Sequence, residues 1–439
     1  MPVDSLTLDP IKSFKGHVTL PGSKSLSNRI LLLAAMSEGV TKVTNLLFSD
    51  DTRHMLRALK ELSVDVVVDE VEKTAEVRGL AAGFGKNNEK DITLFLGNAG
   101  TAARPLAAAL CLSHSHAGSY RLEGEPRMYE RPIGPLMEAL TGLGARFTYL
   151  KEEGYLPLDI RCPSFDKGAK EEKIFLDGSL SSQYVTAILM ALPLLKRPVV
   201  LCLTGDLVSL PYIDITLNVM ARFSVELERR DARTFYFDGK QSYQSPKQIL
   251  VEGDASSASY FLAAAGLGGG PVRVRGLSKE SVQGDVRFVE VLEKVGLKIG
   301  FGPDYIEAAG SGSLKGVDLD LNHIPDAAMT LCTLALFAEG KTTIRNVYNW
   351  RLKETDRLKA MAIELAKVGA KVEEGEDYIT IDPPAKLTSA AIATYNDHRM
   401  AMCFSLAAFG DGVITILDPG CTSKTYPEYF KEFKRMSGF

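Results

Sequence analysis

The chain has 439 residues, 45% of them hydrophobic and 24% charged, and sets 51 Lys and Arg against 55 Asp and Glu for a formal charge of −4. That length exceeds what one core of roughly 250–300 residues sustains, so two domains or more are expected, and the composition excludes a disordered or fibrous chain. With no basic excess, the chain is not a general binder of nucleic acid or membrane surfaces; any anion it holds must be met by a local cluster of cations.

Residues 1–22 show no basic stretch followed by an apolar core, so no signal peptide is expected. The longest apolar runs, such as 30–36 and 187–195, are too short to span a bilayer. The six cysteines (Cys111, Cys162, Cys202, Cys332, Cys403, Cys421) lack C-x-x-C spacing and lie mostly in apolar stretches, the habit of buried thiols in a reducing compartment. A cytoplasmic location is expected.

Taken in chain order, the predicted elements repeat. Gly22-Ser23-Lys24-Ser25 precedes an apolar helix over 30–36 and a strand over 42–45; Ser49-Asp50-Asp51 then reads as the N-cap of an amphipathic helix over 52–62. Gly97-Asn98-Ala99-Gly100-Thr101 leads into a helix over 105–112, a strand over 119–122 and a helix over 133–143. Asp177-Gly178-Ser179-Leu180-Ser181-Ser182-Gln183 opens a third copy with a strand at 199–203. Glu252-Gly253-Asp254-Ala255-Ser256-Ser257 opens a fourth, in which Gly268-Gly269-Gly270 reads as a turn before the strand 272–274. His323-Ile324-Pro325-Asp326 begins a fifth, with a helix over 327–338 and a strand over 342–347. In its second helix, over 355–368, Leu358, Met361, Ala362, Leu365 and Val368 mark one buried face. Asn396-Asp397-His398-Arg399 begins the sixth, with a strand at 413–417. Comparable loop positions (25, 100, 181, 256, 326, 398) are 75, 81, 75, 70 and 72 residues apart. Steps so even point to duplication of one α/β unit, too long for a solenoid repeat. Six units divide into two domains of three, with the boundary near 240–252; the strand region 6–20 precedes copy one much as 249–251 precedes copy four.

Every copy starts a helix after a loop of small residues. Helix N-termini carry unpaired N–H groups and partial positive charge, so they accept anions where Gly and Ser permit approach. One such loop is ordinarily a plain N-cap. Here cations accompany it repeatedly: Lys24, Arg29, Arg104 and Arg399 near the helix starts, and Arg127, Lys353, Arg357 and Lys424 in the second loops. Any one of these alone would ordinarily be a solvated or ion-paired charge. Their shared place in the repeat, beside Gly, Pro and Ser, fits a grip on phosphate or carboxylate. In Asn349-Trp350-Arg351-Leu352-Lys353-Glu354-Thr355-Asp356-Arg357, Lys353 and Arg357 are four apart and would share a helix face, with Glu354 ringed by cations. Asp326 reads either as an N-terminal helix acid or as a base, and Trp350 as packing. His114 and His116 would share one strand face without a third metal ligand at a suitable spacing. No G-x-S-x-G, Walker A or strand-following G-x-G-x-x-G motif occurs.

At these residues the sequence resembles the EPSP synthase (3-phosphoshikimate 1-carboxyvinyltransferase) family of enolpyruvyl transferases. The resemblance runs from about Ser5 into the C-terminal helix. It is strongest in Leu20-Pro21-Gly22-Ser23-Lys24-Ser25-Leu26-Ser27-Asn28-Arg29 and over 94–106, 124–132, 205–214, 348–357 and 396–402. It implies two inverse α/β domains, each of three βαβαββ repeats, with the active site in the interdomain cleft. Residues 1–22 plus 253–439 would form one domain and 23–252 the other. It also implies transfer of the enolpyruvyl group of phosphoenolpyruvate to the 5-hydroxyl of shikimate 3-phosphate, with release of phosphate, on the way to chorismate and the aromatic amino acids, with no metal or organic cofactor, in a monomer.

Position by position, the resemblance assigns shikimate 3-phosphate to Lys24, Ser25, Arg29, Ser181, Ser182, Gln183, Ser209, Tyr212, Asp326, Asn349 and Lys353. It assigns phosphoenolpyruvate to Lys24, Gly100, Thr101, Arg127, Gln183, Arg357, Arg399 and Lys424. Lys24, Asp326, Lys353, Glu354 and His398 are the implied catalytic residues, the division of proton transfers among Asp326, Lys353 and Glu354 being open. Leu210 departs from the pattern, standing where close relatives often carry Lys. Gly100 and Pro105 are retained, so inhibition by glyphosate in competition with phosphoenolpyruvate is expected. Two alternatives stand beside this reading. A UDP-N-acetylglucosamine enolpyruvyl transferase would require Lys-Asn in place of Lys24-Ser25 and a cysteine within 119–131. A non-catalytic phosphoanion binder would be expected to have lost Asp326 or Glu354.

Overall fold

The computed structural model describes residues 4–81, 83–84, 91–113, 119–161, 171–179 and 181–438. The His114/His116 pair, Cys162 and Leu180 lie outside these residues. The helices, in chain order, are α1 (Lys24–Met36), α2 (Asp50–Glu61), α3 (Gly100–Leu112), α4 (Gly134–Thr141), α5 (Ser182–Ala191), α6 (Pro211–Arg222), α7 (Ala255–Gly268), α8 (Phe288–Val295), α9 (Pro325–Leu334), α10 (Arg357–Lys367), α11 (His398–Ser405) and α12 (Tyr429–Ser437). Odd and even helices differ as their sequences demand. Every α1 residue but Ser25 is buried, and α11 is buried throughout, because apolar and small residues fill most of each and the polar ones, Lys24, Asn28, Arg29 and Arg399 among them, meet side chains of other elements. Even helices are amphipathic: α10 buries Leu358, Met361 and Leu365 while Lys359 and Ile363 face outward.

The chain divides into two compact units, Gly22–Val251 and the residues up to Pro21 together with those from Glu252 onward. In Gly22–Val251 each copy forms a four-stranded sheet. The orders are Gln248–Leu250, Val40–Thr44, Thr74–Arg78, Asp65–Asp69; then Ile92–Phe95, Ser119–Glu123, Leu158–Arg161, Arg146–Tyr149; then Glu172–Asp177, Val199–Thr204, Thr234–Phe237, Glu228–Arg229. The first pair in each is parallel and the rest antiparallel. A parallel pair needs a crossover, which α3 and α5 supply in the second and third copies.

The other unit repeats this with Phe14–Thr19, Gly269–Arg275, Tyr305–Ala309, Lys298–Phe301, and with Asp318–Asp320, Thr342–Arg345, Ile379–Asp382, Lys371–Glu374. Its third sheet has Ala390–Ile392 parallel to Ile414–Leu417, and the antiparallel partner is Ser5–Leu8. The first five copies are thus βαβαββ units; in the sixth, Ser5–Leu8 takes the place that the last strand holds in the others.

The strand ahead of copy one, Phe14–Thr19, pairs with Gly269–Arg275 of copy four, and the strand ahead of copy four, Gln248–Leu250, pairs with Val40–Thr44 of copy one. The two units have exchanged their first strands, because ladder pairing is decided by register and burial and not by nearness in sequence. Phe14 is anchored in its unit by Phe433, 5.0 Å away between ring centres, and Phe409, 5.8 Å away; burial of a ring of this size contributes about 1.5–3 kcal/mol. One expectation needs correcting: α1 and α3 begin earlier than their apolar runs. Pro105 sits inside α3 instead of opening it, because the Asn98–Gly100 turn starts the helix: Ala103 N–H donates to Ala99 O at 2.9 Å. Both shifts bring site residues into first turns. The Gly268–Gly270 segment turns as expected, with Gly269 (φ 87°) closing α7 in the left-handed region.

Candidate active site

In the unit Gly22–Val251, the starts of α1, α3, α5 and α6 are tied together by side chains. Arg29, 3% exposed, donates from Nε to Thr216 Oγ1 at 3.0 Å, from Nη1 to Ser25 O at 2.9 Å and from Nη2 to Thr186 Oγ1 at 3.3 Å. Burial pushes its guanidinium down to about 10, against the pull of Tyr212. Lys24 Nζ lies 3.2 Å from Asp51 Oδ2, both buried. Asn28 donates to Thr101 Oγ1 at 2.8 Å, and Arg104 donates to Gln183 Oε1 at 2.7 Å and Pro132 O at 2.8 Å.

Gly100 sits in the middle of this set. A Cβ there would lie 2.6 Å from Arg104 Nη1, 2.8 Å from Arg131 Nη2 and 2.9 Å from Gln183 Oε1, so only glycine leaves those heads around an open backbone face. Ser181 caps α5, accepting from Gln183 N at 3.2 Å, and Ser182 is its first, buried residue. Ser209 adopts φ 54° just before α6, where Tyr212 N–H donates to its carbonyl at 3.0 Å. Arg127 pairs with Glu130 at 2.7 Å on a turn over Pro126–Glu130.

The other unit gathers its charges around Asp326, second residue of α9. Arg357, first residue of α10 and 1% exposed, donates to Asp326 Oδ1 at 3.1 Å, Glu354 Oε2 at 2.8 Å and Asp397 Oδ2 at 2.8 Å. Arg399 donates to Asp326 Oδ2 at 2.9 Å and to Tyr260 Oη at 3.2 Å. Lys353 Nζ lies 3.6 Å from Asp326 Oδ1, and Lys424 Nζ lies 3.8 Å from Glu354 Oε1. Asp397 caps α11 through Arg399 N–H at 2.9 Å, with buried His398 Nδ1 3.7 Å from its Oδ1. The indole N–H of Trp350 donates to Pro325 O at 2.7 Å, fixing the buried Asn349–Trp350 turn against the start of α9.

The electrostatics follow. Burial would raise Asp326, but Arg399, Lys353 and Arg357 hold it well below the usual carboxylate range. Burial lowers Lys353, with Asp326 opposing. Burial likewise works against charge on Arg357, yet Asp397, Glu354 and Asp326 outweigh it and push it up. Asp285, hydrogen-bonded to Ser256 Oγ, is raised to about 7 by burial and by the charge of Asp326. A carboxyl raised in the folded state contributes stability that is complete below its ordinary value of 3.8 and is lost as pH rises to about 7. Asp285→Asn is therefore expected to melt higher than the parent protein at pH 8, by a margin that shrinks toward pH 4. Thermal melts across that range giving a constant margin would contradict it.

The candidates thus fall at helix starts and second loops in both units; ion pairs link Asp326, Lys353, Glu354, Arg357, Arg399 and Lys424, whereas Arg127 pairs with Glu130 of its own turn. One geometric expectation fails: Lys353 and Arg357 do not share a helix face, since α10 begins at Arg357. They converge on Asp326 because Lys353 closes the preceding Tyr348–Leu352 turn. Ser49 caps α2 as expected, its N–H bonded to Thr52 Oγ1 at 2.9 Å, while Asp51 does more by pairing with Lys24. Residues that drew no role from sequence are Arg131, which donates to Asn98 O and Oδ1 at 3.0 and 2.8 Å, Asp397, Tyr260 and Asp285. The one available signal was a second Arg, four after Arg127, in the same proline-flanked turn.

Units of βαβαββ repeats whose helix starts carry arginines and lysines, with carboxylates set among them, define a class of α/β protein suited to multiply charged small anions and proton transfer. The family model described as EPSP synthase (3-phosphoshikimate 1-carboxyvinyltransferase) matches residues 8–433. The chain belongs to that family. It is 58% identical over 435 residues to the 3-phosphoshikimate 1-carboxyvinyltransferase of Aliivibrio salmonicida strain LFI1238, covering 99% of this chain and 100% of that one. It is 57% identical to that of Serratia proteamaculans strain 568, covering 99% of each. In fold it is similar to a solved EPSP synthase from Acinetobacter baumannii, with a TM-score of 0.79, 24% identity and coverage of 98% and 97%. It is also similar to the enolpyruvyl transferase NikO from Streptomyces tendae, with a TM-score of 0.76, 16% identity and coverage of 99% and 98%. Among the described residues, no helix is long and apolar enough to cross a membrane.

Proposed function

We propose that the charged residues at these helix starts and loops bind phosphoenolpyruvate and shikimate 3-phosphate. The chain is a 3-phosphoshikimate 1-carboxyvinyltransferase: it moves the enolpyruvyl group to the 5-hydroxyl of shikimate 3-phosphate and releases phosphate, in aromatic amino acid biosynthesis. The two substrates bring two phosphates and two carboxylates, about five to six negative charges, which the basic groups above are placed to offset. Lys24, Ser25, Arg29, Ser181, Ser182, Gln183, Ser209, Tyr212, Asn349 and Lys353 hold the shikimate phosphate and ring. Gly100, Thr101, Arg127, Arg357, Arg399 and Lys424 hold phosphoenolpyruvate.

The convergence of Lys353, Arg357 and Arg399 on Asp326 is the observation that carries this reading. Held that far below its usual range, the Asp326 carboxylate is a weak base while these cations face it. Substrate anions would draw the cations away, so the base gains strength when there is a hydroxyl to deprotonate. The alkoxide oxygen then attacks C2 of phosphoenolpyruvate as Glu354 delivers a proton to C3. Reversal of the proton step at C3 expels phosphate, with Lys24 and the arginines stabilising the tetrahedral intermediate. His398, buried with its Nδ1 3.7 Å from Asp397 Oδ1, stays among the catalytic residues. The protein works as a monomer in the cytoplasm.

Phosphate release tests the reading. Turnover is expected with phosphoenolpyruvate and shikimate 3-phosphate together, and none when UDP-N-acetylglucosamine replaces the latter. Glyphosate is expected to raise the apparent KM for phosphoenolpyruvate without lowering the maximal rate. Release with the nucleotide sugar would overturn the substrate assignment, and inhibition indifferent to phosphoenolpyruvate concentration would overturn the shared site.

A further inference from the structure

Glu364 is a carboxylate with 0% exposure, on α10 two turns beyond Arg357 and outside the charged cluster. Its Oε1 accepts from Tyr395 Oη at 2.8 Å and Lys367 Nζ at 2.8 Å; its Oε2 accepts from Ala393 N–H at 3.0 Å and Lys367 Nζ at 2.7 Å. Lys367 also reaches Ala391 O at 3.4 Å. All of these bonds fall on the segment that leaves strand Ala390–Ile392 and runs into α11, or on the lysine that helps hold it.

The segment needs holding. Tyr395 and Asn396 both adopt the left-handed conformation, φ 55° and 53°; asparagine visits it readily, but a tyrosine there is held by its surroundings. Directly after them come Asp397, which accepts from Arg357 Nε, and Arg399, which donates to Asp326. Residues seven apart lie on nearly the same helix face, roughly 10 Å along the axis. Helix α10 therefore grips this segment twice, by Arg357 at Asp397 and by Glu364 at Ala393 and Tyr395. An ion pair whose lysine side chain is 40% exposed is weak grounds for stability as such. Its worth lies in fixing a geometry.

We infer that Glu364 is a positioning residue for the transfer reaction: with Arg357 it clamps residues 391–397 onto α10 and thereby sets where Arg399 meets Asp326. The inference rests on the reading that Arg399 and Asp326 serve the substrates. In Glu364→Gln the shape is kept, but the amide nitrogen accepts no hydrogen bond and the Lys367 charge goes unanswered. KM for phosphoenolpyruvate is expected to rise about tenfold with a fall in kcat, while shikimate 3-phosphate binding stays within about twofold, because misplacement of one charged contact suffices for such losses. Tyr395→Phe, which removes a single bond, is expected to raise the same KM about threefold and carries the test alone if Glu364→Gln does not fold.

Amide hydrogen exchange over 393–399, measured on the same proteins, reads the clamp independently of the reaction, and faster exchange is expected there in both variants. Slow exchange with parental KM values in a folded Glu364→Gln protein would overturn the inference. So would an equal loss of affinity for both substrates, which marks a general structural defect. A parent protein without transferase activity would instead sink the functional reading, leaving the exchange result to judge the clamp.

Discussion

Glu354→Gln is expected to lower turnover by at least about a hundredfold while shikimate 3-phosphate still binds within about twofold of the parent protein. Glu354 is 9% exposed on its side chain, accepts from Arg357 Nη2 at 2.8 Å and lies 3.8 Å from Lys424 Nζ. A glutamine oxygen still accepts from Arg357, so the local packing and the arginine's orientation survive. The two proton movements at C3 do not, because an amide neither gives nor takes a proton near neutral pH. General acid–base groups contribute about 10²–10⁴ in rate, and here one group works in both directions. The check is phosphate release under saturating substrates together with calorimetric titration of shikimate 3-phosphate. Turnover within a few-fold of the parent would remove Glu354 from the chemistry and leave it as a holder of Arg357.

The repeat was legible because each copy must bury its own helix, and burial leaves an apolar or small-residue run that recurs at even steps. Leu358, Met361 and Leu365 fell on the buried face for the same reason. The exchange of first strands leaves no mark in the residues of Phe14–Thr19 or Gln248–Leu250, each of which lies next in sequence to the copy it does not join; the expected division at 22/23 and 252/253 came from the family resemblance alone. Helix starts were misplaced where the first turn is polar. Lys24, Asn28 and Arg29 look like loop residues in sequence, yet they are buried in α1, answered by Asp51, Thr101, Thr186 and Thr216 from other elements. The same blindness covered Asp397. It drew no role from sequence, and only packing reveals that it caps α11 and takes Arg357.

Arg357→Leu tests that packing most severely. The guanidinium, 1% exposed, is the common partner of Asp326, Glu354 and Asp397, and deleting one side of a buried ionic network costs about 3–5 kcal/mol because the partners stay desolvated. For a unit of this size that corresponds to a melting temperature lower by about 6–20 °C at pH 7. The deficit should shrink on acidification. Asp326 sits below its unfolded value of 3.8, so its contribution is present above that pH and is lost as pH falls through the folded value; once the carboxylates are protonated there is less charge left for the arginine to answer. Adding Asp397→Asn to Arg357→Leu removes one of the stranded charges and is expected to recover part of the loss, a coupling of about 1 kcal/mol or more between residues in direct contact. Scanning calorimetry of the single and double variants at pH 7 and well below pH 3.8 decides the matter. A single variant melting within about 2 °C of the parent at pH 7, less than the shift of even one kcal/mol, would mean that the three carboxylates find other partners and that Arg357 is there for the substrate alone.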